Sequence, residues 1–367
     1  MKVLIMNPIL YTSETDQIPK VESIKDTMIY ALCMGFLKNG DEPVLAAADA
    51  YKPVSSEQYP FPIIWLPCRA PWICKPRCLP WLKGLPGYIK KHKKEFDYII
   101  SSEVFSLLTL CGAFHAKNKL VIWHELGAHN NIMKKIPSKF WYNVVAKLFL
   151  QNIPVIPRSQ NARNFIEKYS NRVLGTTIDH GVDLARINFS REKEDFFVVA
   201  SQLIERKHID GILDHFAAFL KAENKEYELK IIGDGILRDQ LENYTKKLKI
   251  ESNVIFTGKL NHEQLMPVLA KAKAFLVNTS KDNSMVSIVE SIAAGTPVLT
   301  TSVPFNASYI EKCALGIVKD GWGSAELAEI CAGNGYYVEN CIMYREKLSN
   351  VYCAKQFDQI GRTLGSI

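Results

Sequence analysis

The sequence predicts an α/β protein of two domains, each a parallel sheet wound with helices on both faces. Three observations carry this. Apolar runs of strand length alternate with helical patterns in both halves, which is the rhythm of βαβ units. The chain has 367 residues, enough for two domains of ordinary size, and the alternation restarts after a short charged stretch, 189–195. Its 47% hydrophobic and 23% charged content is that of a globular chain with a substantial core.

In the first half, strands are expected at 3–6, 44–47, 63–66, 98–100, 120–123 and 154–156. Helices fill 24–39, 105–116, 140–150 and 159–169. The Asn39-Gly40 pair stops the first helix. In the second half, strands are expected at 196–200, 228–232, 254–257, 274–278 and 297–300, with helices at 210–223, 237–248, 262–271 and 286–294 between them. Ligands of such sheets bind beyond the carboxyl ends of the strands. The polar clusters fall at those ends.

Composition narrows the function. No apolar run reaches the roughly 18 residues of a membrane span, and residues 1–8 read as the approach to a first strand rather than a leader. A cytoplasmic chain is expected. Nine cysteines in this length suggest free thiols, and the spacing of Cys68, Cys74 and Cys78 lacks the pairs of a zinc site. The net charge of +7 favours acidic partners. Residues 69–94 hold eight lysines and arginines with no acid, interleaved with Trp72, Trp81 and Tyr88. That pattern suits either the solvated face of a helix or contact with an anionic membrane surface. No nucleic-acid motif is present, and none is expected as partner.

The chemistry concentrates in the second half. Asp282 and Glu290 are separated by seven residues. The first lies in a polar loop and the second one turn into an apolar helix that closes at Gly295. A loop opening into a helix presents unpaired N–H groups that hold phosphate, and carboxylates beside it accept bonds from sugar hydroxyls. Asp282 with Asn283 also suits a plain helix cap. Lys207 follows the strand at 196–200. Gly233-Asp234-Gly235 follows the strand at 228–232, where small residues let a ligand approach or merely make a tight turn. His124 directly follows the strand at 120–123, with Glu125 and His129 nearby. No Ser-His-Asp arrangement or metal-ligand spacing stands out. Paired carboxylates also occur in glycoside hydrolases, but these need neither Lys207 nor a phosphate-binding helix start.

Four stretches, in order, resemble the donor-binding domain of retaining, family-four glycosyltransferases (group 1) of the GT-B fold. They are Val199 to Asp210, Ile231 to Gly235 with Leu237-Arg238, Val254 to Gly258, and Asp282 to Glu290. The match is strong over 175–305, weaker over 95–170 and poor over 10–95. The resemblance implies two Rossmann-like domains facing a central cleft: an acceptor-side domain over 1–185 and a nucleotide-sugar domain over 186–345. A C-terminal helix within 346–367 is expected to return to the first.

It implies Lys207, Asp282, Glu290 and His124 as catalytic residues. Gln202, Arg206, Gly233, Gly235, Ser284, Met285 and Val286 would bind donor, and Glu125 and His129 would face acceptor. In that picture the amides of Met285 and Val286 meet the diphosphate, Asp282 faces the sugar and Glu290 the ribose. No metal or other cofactor is implied. Three departures stand out: Gln202 replaces an arginine, with Arg206 offered as substitute cation; Asp282 replaces a glutamate; Met285 replaces a glycine. The glycine loop after the first strand is also absent, Lys20-Val21-Glu22-Ser23 standing there.

The implied function is transfer of a sugar, with retention, from a nucleoside-diphosphate sugar to a hydroxyl of a glycan or lipid-linked glycan, in bacterial surface-polysaccharide synthesis. The enzyme would sit peripherally at the inner face of the membrane. A sugar-nucleotide epimerase and a silent sugar-nucleotide-binding subunit are the alternatives.

Overall fold

A computed structural model of the chain describes residues 1–11, 18, 21–75, 77–223, 225–282 and 284–364. Lys20 and Asn283, both named above, lie outside the described residues. The chain divides into two compact units, after Gly181 and again after Ser349; the sequence reading set these divisions after residues 185 and 345.

The first unit runs β1 (Lys2–Met6), α1 (Met28–Lys38), β2 (Glu42–Ala48), β3 (Ile63–Leu66), α2 (Leu85–His92), β4 (Tyr98–Ser102), α3 (Leu107–Ala116) and β5 (Leu120–His124). Then come α4 (Ile136–Phe140), which continues as a π helix over Trp141–Leu150, β6 (Val155–Pro157) and α5 (Gln160–Ile166). Its sheet has the parallel order β3-β2-β1-β4-β5-β6. The inner strands are buried on both faces, so they read as continuous apolar runs. Helix α1 starts later than expected because Thr27 caps it, its Oγ1 accepting from the Tyr30 amide at 3.2 Å. It ends at Asn39, and Gly40 takes φ +85°.

The second unit runs β7 (Phe196–Ala200), α6 (Ile209–Ala222), β8 (Glu228–Ile232), α7 (Arg238–Leu248), β9 (Val254–Gly258), α8 (His262–Lys271), β10 (Ala274–Leu276), α9 (Val286–Ala293) and β11 (Val298–Thr300). It ends with α10 (Ala307–Lys312), β12 (Gly316–Val318), α11 (Ser324–Ala332) and α12 (Asn334–Tyr344). The order β12-β11-β10-β7-β8-β9 is again all parallel. Two apolar clusters pack on its opposite faces, one around Ile288, Ile292 and Leu269, the other around Phe197, Phe216 and Leu229. The strand β12 and helices α10 to α12 are elements the sequence reading did not place.

The last helix, α13 (Asn350–Leu364), belongs to the first unit. It crosses α1 at Gly35, where a Cβ would lie 2.2 Å from the Asn350 carbonyl oxygen. Asn350 Nδ2 donates to the Ala31 carbonyl at 2.8 Å.

Candidate functional site

In the second unit the strand order reverses between β7 and β10, which lie side by side. A doubly wound sheet opens a crevice at such a switch point. The segments leaving these two strands bring their polar side chains together. After β7, a tight turn over Glu205–Lys207 ends at His208, which takes φ +44°. Lys207 is buried, and its Nζ donates to Asp282 Oδ2 at 2.7 Å. Arg206 Nη1 donates to Asp282 Oδ1 at 2.8 Å and to the Lys281 carbonyl at 2.9 Å. Thr279 Oγ1 donates to Asp282 Oδ2 at 2.7 Å. Burial raises the Asp282 pKa, but the hydrogen bonds from Lys207 and Thr279 and the two neighbouring cations outweigh it, so the carboxyl sits below its ordinary value. Lys207 and Met285 line one small hollow with Ser201, Asn278 and Thr279.

The amides at the start of α9 differ from expectation. The Met285 N–H donates to Asn306 Oδ1 at 2.7 Å, so this proposed phosphate donor is engaged within the protein. Asn306 is fully buried, and its Nδ2 reaches the Tyr309 hydroxyl at 2.6 Å and Ser284 Oγ at 3.4 Å. Val286 opens the helix behind it. Glu290 stands on α9 with Oε1 3.4 Å from His262 Nε2, the first residue of α8.

Gly233 and Gly235 have a local reason. A Cβ at Gly233 would lie 1.9 Å from the Ser201 carbonyl oxygen, and one at Gly235 would lie 2.4 Å from that of Leu203. The Leu203 amide donates to the Asp234 carbonyl at 3.0 Å. The glycines thus let the turn after β8 pack against the turn after β7. Gln202 is exposed on that same turn.

The first unit has its own polar cluster, at the carboxyl ends of three adjacent strands. Glu103 follows β4, His124 ends β5 and Arg158 follows β6. Glu103 takes φ +70°, unusual for a residue with a side chain. His124 is fully buried. Its Nδ1 stands 2.9 Å from Glu103 Oε2, an ion-pair distance without hydrogen-bond alignment. Burial pushes the Glu103 pKa up, but His124, Arg158 and the Glu125 amide outweigh it and hold it low. That amide donates to Glu103 Oε1 at 2.7 Å.

The Arg158 guanidinium lies 3.5 Å above the Trp123 ring. Its Nη1 reaches Glu125 Oε2 at 2.6 Å and His180 Nε2 at 3.2 Å. Arginine only donates, so His180 Nε2 accepts there and its ring proton sits on Nδ1. Burial and Arg158 push the His180 pKa well below the ordinary histidine value. His129 is different in kind. It joins Ser138 Oγ (3.2 Å) to the Tyr169 hydroxyl (3.1 Å) among Tyr142 and Phe165, so its contacts are architectural.

The sequence reading gave no role to Thr279, Asn306, His262, Glu103, Arg158 or His180. Glu103 and Arg158 obey the rule that pointed to His124, being the first polar residues past their strands. No group of three metal-ligating side chains occurs among the described residues.

Two doubly wound units with polar clusters at their strand ends form the GT-B architecture of sugar-nucleotide transferases. The solved structure of Anabaena Alr3699/HepE in complex with UDP and glucose superposes with a TM-score of 0.63 at 15% identity, covering 100% of both chains. Residues 183–330, most of the second unit, match the glycosyl transferases group 1 family. It is 25% identical over 190 residues to the alpha-monoglucosyldiacylglycerol synthase of Streptococcus pneumoniae, a match covering 47% of this chain and 43% of that one. It is 24% identical over 247 residues to the O-antigen biosynthesis glycosyltransferase WclY of Escherichia coli, covering 62% of this chain and 67% of that one. The chain thus spans less than half of the first relative and two thirds of the second.

Proposed function

We propose that the chain transfers a sugar from a nucleoside-diphosphate donor to a hydroxyl of a glycan or lipid-linked glycan, with retention of configuration, in bacterial surface-polysaccharide assembly. The observation that carries this reading is the convergence of Lys207, Arg206 and Asp282 at the β7–β10 switch point. A leaving diphosphate gains charge in the transition state, and cations held in place before the reaction stabilise it without reorganising. Lys207 is the pre-placed ammonium. Arg206 supplies the second cation that Gln202 cannot. These two charges take the part a metal plays elsewhere.

In this mechanism Asp282 yields both cations to the diphosphate and turns to the donor sugar. Glu290, steadied by His262, accepts from the ribose hydroxyls. Ser284 and Val286 border the diphosphate at the head of α9. The acceptor hydroxyl attacks from the face the diphosphate leaves, and a donor phosphate oxygen takes its proton. His124, with Glu103 beside it, offers a second polar site for sugar hydroxyls, and Glu125, held by Arg158, is its neighbour. The relatives support this reading: one is an O-antigen biosynthesis glycosyltransferase, in keeping with a polysaccharide product, and one structural neighbour holds UDP and glucose, in keeping with the donor class.

The test is a thermal-shift panel of UDP, GDP, ADP and CDP, followed by transfer assays with the sugars of whichever nucleotide binds. A ligand that binds only the native state raises its stability in proportion to affinity. One nucleotide is expected to shift the melting temperature. Lys207→Ala is expected to lower turnover by about 10²–10³-fold, as loss of one pre-placed charge contact does. A panel without any shift, or full activity in Lys207→Ala, overturns the reading.

A further inference from the structure

The first unit exposes large apolar side chains on one connected surface. Trp81 and Phe114 line a solvent-open apolar groove of about 250 Å³, with Leu85, Leu107 and Cys111 between them. Phe114, 59% exposed at the end of α3, packs its ring 5.2 Å from that of Phe149. Phe149 belongs to the helix that starts as α4. On that helix Ile136, Phe140, Val144 and Leu148 recur every fourth residue, about one turn apart, and all are exposed. Phe140 is 59% and Leu148 70% exposed. The opposite side of the same helix buries Trp141, Tyr142, Ala146 and Leu150 in the core. Just before it, Met133, Lys134 and Lys135 take φ of +45°, +54° and +69°, a costly run of left-handed residues that leaves Met133 74% exposed.

The chain that forms the helix side of this surface is almost free of acids. From Val104 to Leu150 the only acid is Glu125, which is ion-paired with Arg158. Lys139 and Lys147 stand exposed on the helix beside the apolar stripe. On the groove side, Lys93 Nζ donates to the His115 carbonyl at 3.1 Å. Burial, Lys90 and Lys93 push the His115 pKa down.

Hydrocarbon flanked by lysines complements a layer of acyl chains under anionic headgroups. We propose that this face docks on an anionic lipid bilayer, with Phe114, Phe140, Leu148 and Phe149 entering the headgroup boundary and an acyl chain entering the groove. The surface extends the basic-aromatic segment 69–94 through Trp81. It belongs to the first unit and Lys207 and Asp282 to the second, so the proposal does not rest on the function argued above.

The test floats the full chain with vesicles of phosphatidylcholine alone and with vesicles containing phosphatidylglycerol. The expected result is recovery with the anionic vesicles, little with the neutral ones, and at least about tenfold less recovery for Phe114→Asp combined with Leu148→Glu. Lys139→Glu with Lys147→Glu is expected to lose recovery on the anionic vesicles while leaving the apolar stripe intact, which covers the case of a poorly folded first variant. Nucleotide thermal shifts on the same proteins are expected to be unchanged, so a failure here is distinct from a failure of the donor site. Equal recovery with both vesicle types, recovery with neither, or undiminished recovery of both variants overturns the proposal. So does a self-associated chain in sizing experiments that both variants render monomeric without any lipid binding.

Discussion

Asp282 accepts from Lys207, Arg206 and Thr279 at once. In the proposed function an incoming diphosphate competes with this carboxylate for both cations, and the donor sugar then takes the carboxylate as its partner. Asp282→Asn removes the competitor, because an amide offers one acceptor where the carboxylate offers two. The unpaired cations destabilise the free protein by about 1–3 kcal/mol, and nucleoside diphosphate binds more tightly. Turnover falls, since the sugar loses its carboxylate partner. Urea melts and calorimetric titration with the nucleotide found above check both signs; unchanged affinity and stability would contradict the competition.

The pH dependence follows the lowered carboxyl. The contribution of this cluster is present above the ordinary aspartate value and is lost as pH falls through the lower folded one. Sequence made Lys207 legible from its place after the strand at 196–200, Asp282 from its spacing to Glu290 across a loop that opens into a helix, and Arg206 as the substitute cation for Gln202 in the family resemblance. Their pairing was not legible: it spans 75 residues and depends on β7 lying beside β10. Asn306, which takes the Met285 amide from 21 residues away, is hidden for the same reason.

Elements were read best where turn residues or a cap bound them, whatever their burial: the edge strand β3, only half-buried, was placed to the residue. The strands β7 and β8 and helix α8 were placed to the residue, because an apolar strand or a 3.6-residue period bounded by turn residues leaves little latitude. Asn261 and Gln264 form a reciprocal capping box at the start of α8. By contrast β12 has three residues at a sheet edge, only one of them buried, and offers almost no pattern. The helix at 140–150 was placed, but its π geometry was not, since its buried residues satisfy a general helical period as well. Helix–helix packing was also invisible. Propensity alone says that Gly35→Ala in α1 should stabilise by about 1 kcal/mol. The close approach of Asn350 reverses the sign, because the new methyl meets backbone at 2.2 Å. A net loss of about 1–3 kcal/mol is expected from such overpacking. Denaturant midpoints of the two proteins decide between the signs.

At the scale of the whole molecule, the chain leaves the first unit after Gly181 and completes it only from Asn350 onward. The join is polar as well as apolar. Asn39 Nδ2 donates to Asp41 Oδ2 at 2.8 Å and to Asp358 Oδ2 at 2.7 Å, although Asn39 and Asp358 are 319 residues apart. Tyr98 donates to Asp358 Oδ1 at 2.9 Å, and Gly361 lets α13 lie against the Tyr98 ring. Two buried carboxyls side by side do not ionise independently. Burial, then Asp41, pushes Asp358 up to about 6.

Between the ordinary aspartate value and about 6, the folded chain keeps a proton that the unfolded chain has released. Stability from this group therefore falls as pH rises through that window and is level above it. The change amounts to about 1–3 kcal/mol. Asp358→Asn cannot ionise, yet its amide can donate to Asp41 and accept from Tyr98. Other carboxylates, such as Asp282 and Glu103, act in the opposite direction on acidification, so the informative quantity is the difference between the two proteins. Urea midpoints from pH 4 to 7 should show the wild type losing ground to Asp358→Asn up to about pH 6, then holding a constant gap. A difference that stays flat across this range would mean that Asp358 is ionised throughout, and that it joins α13 to the first unit as a carboxylate accepting from Tyr98 and Asn39.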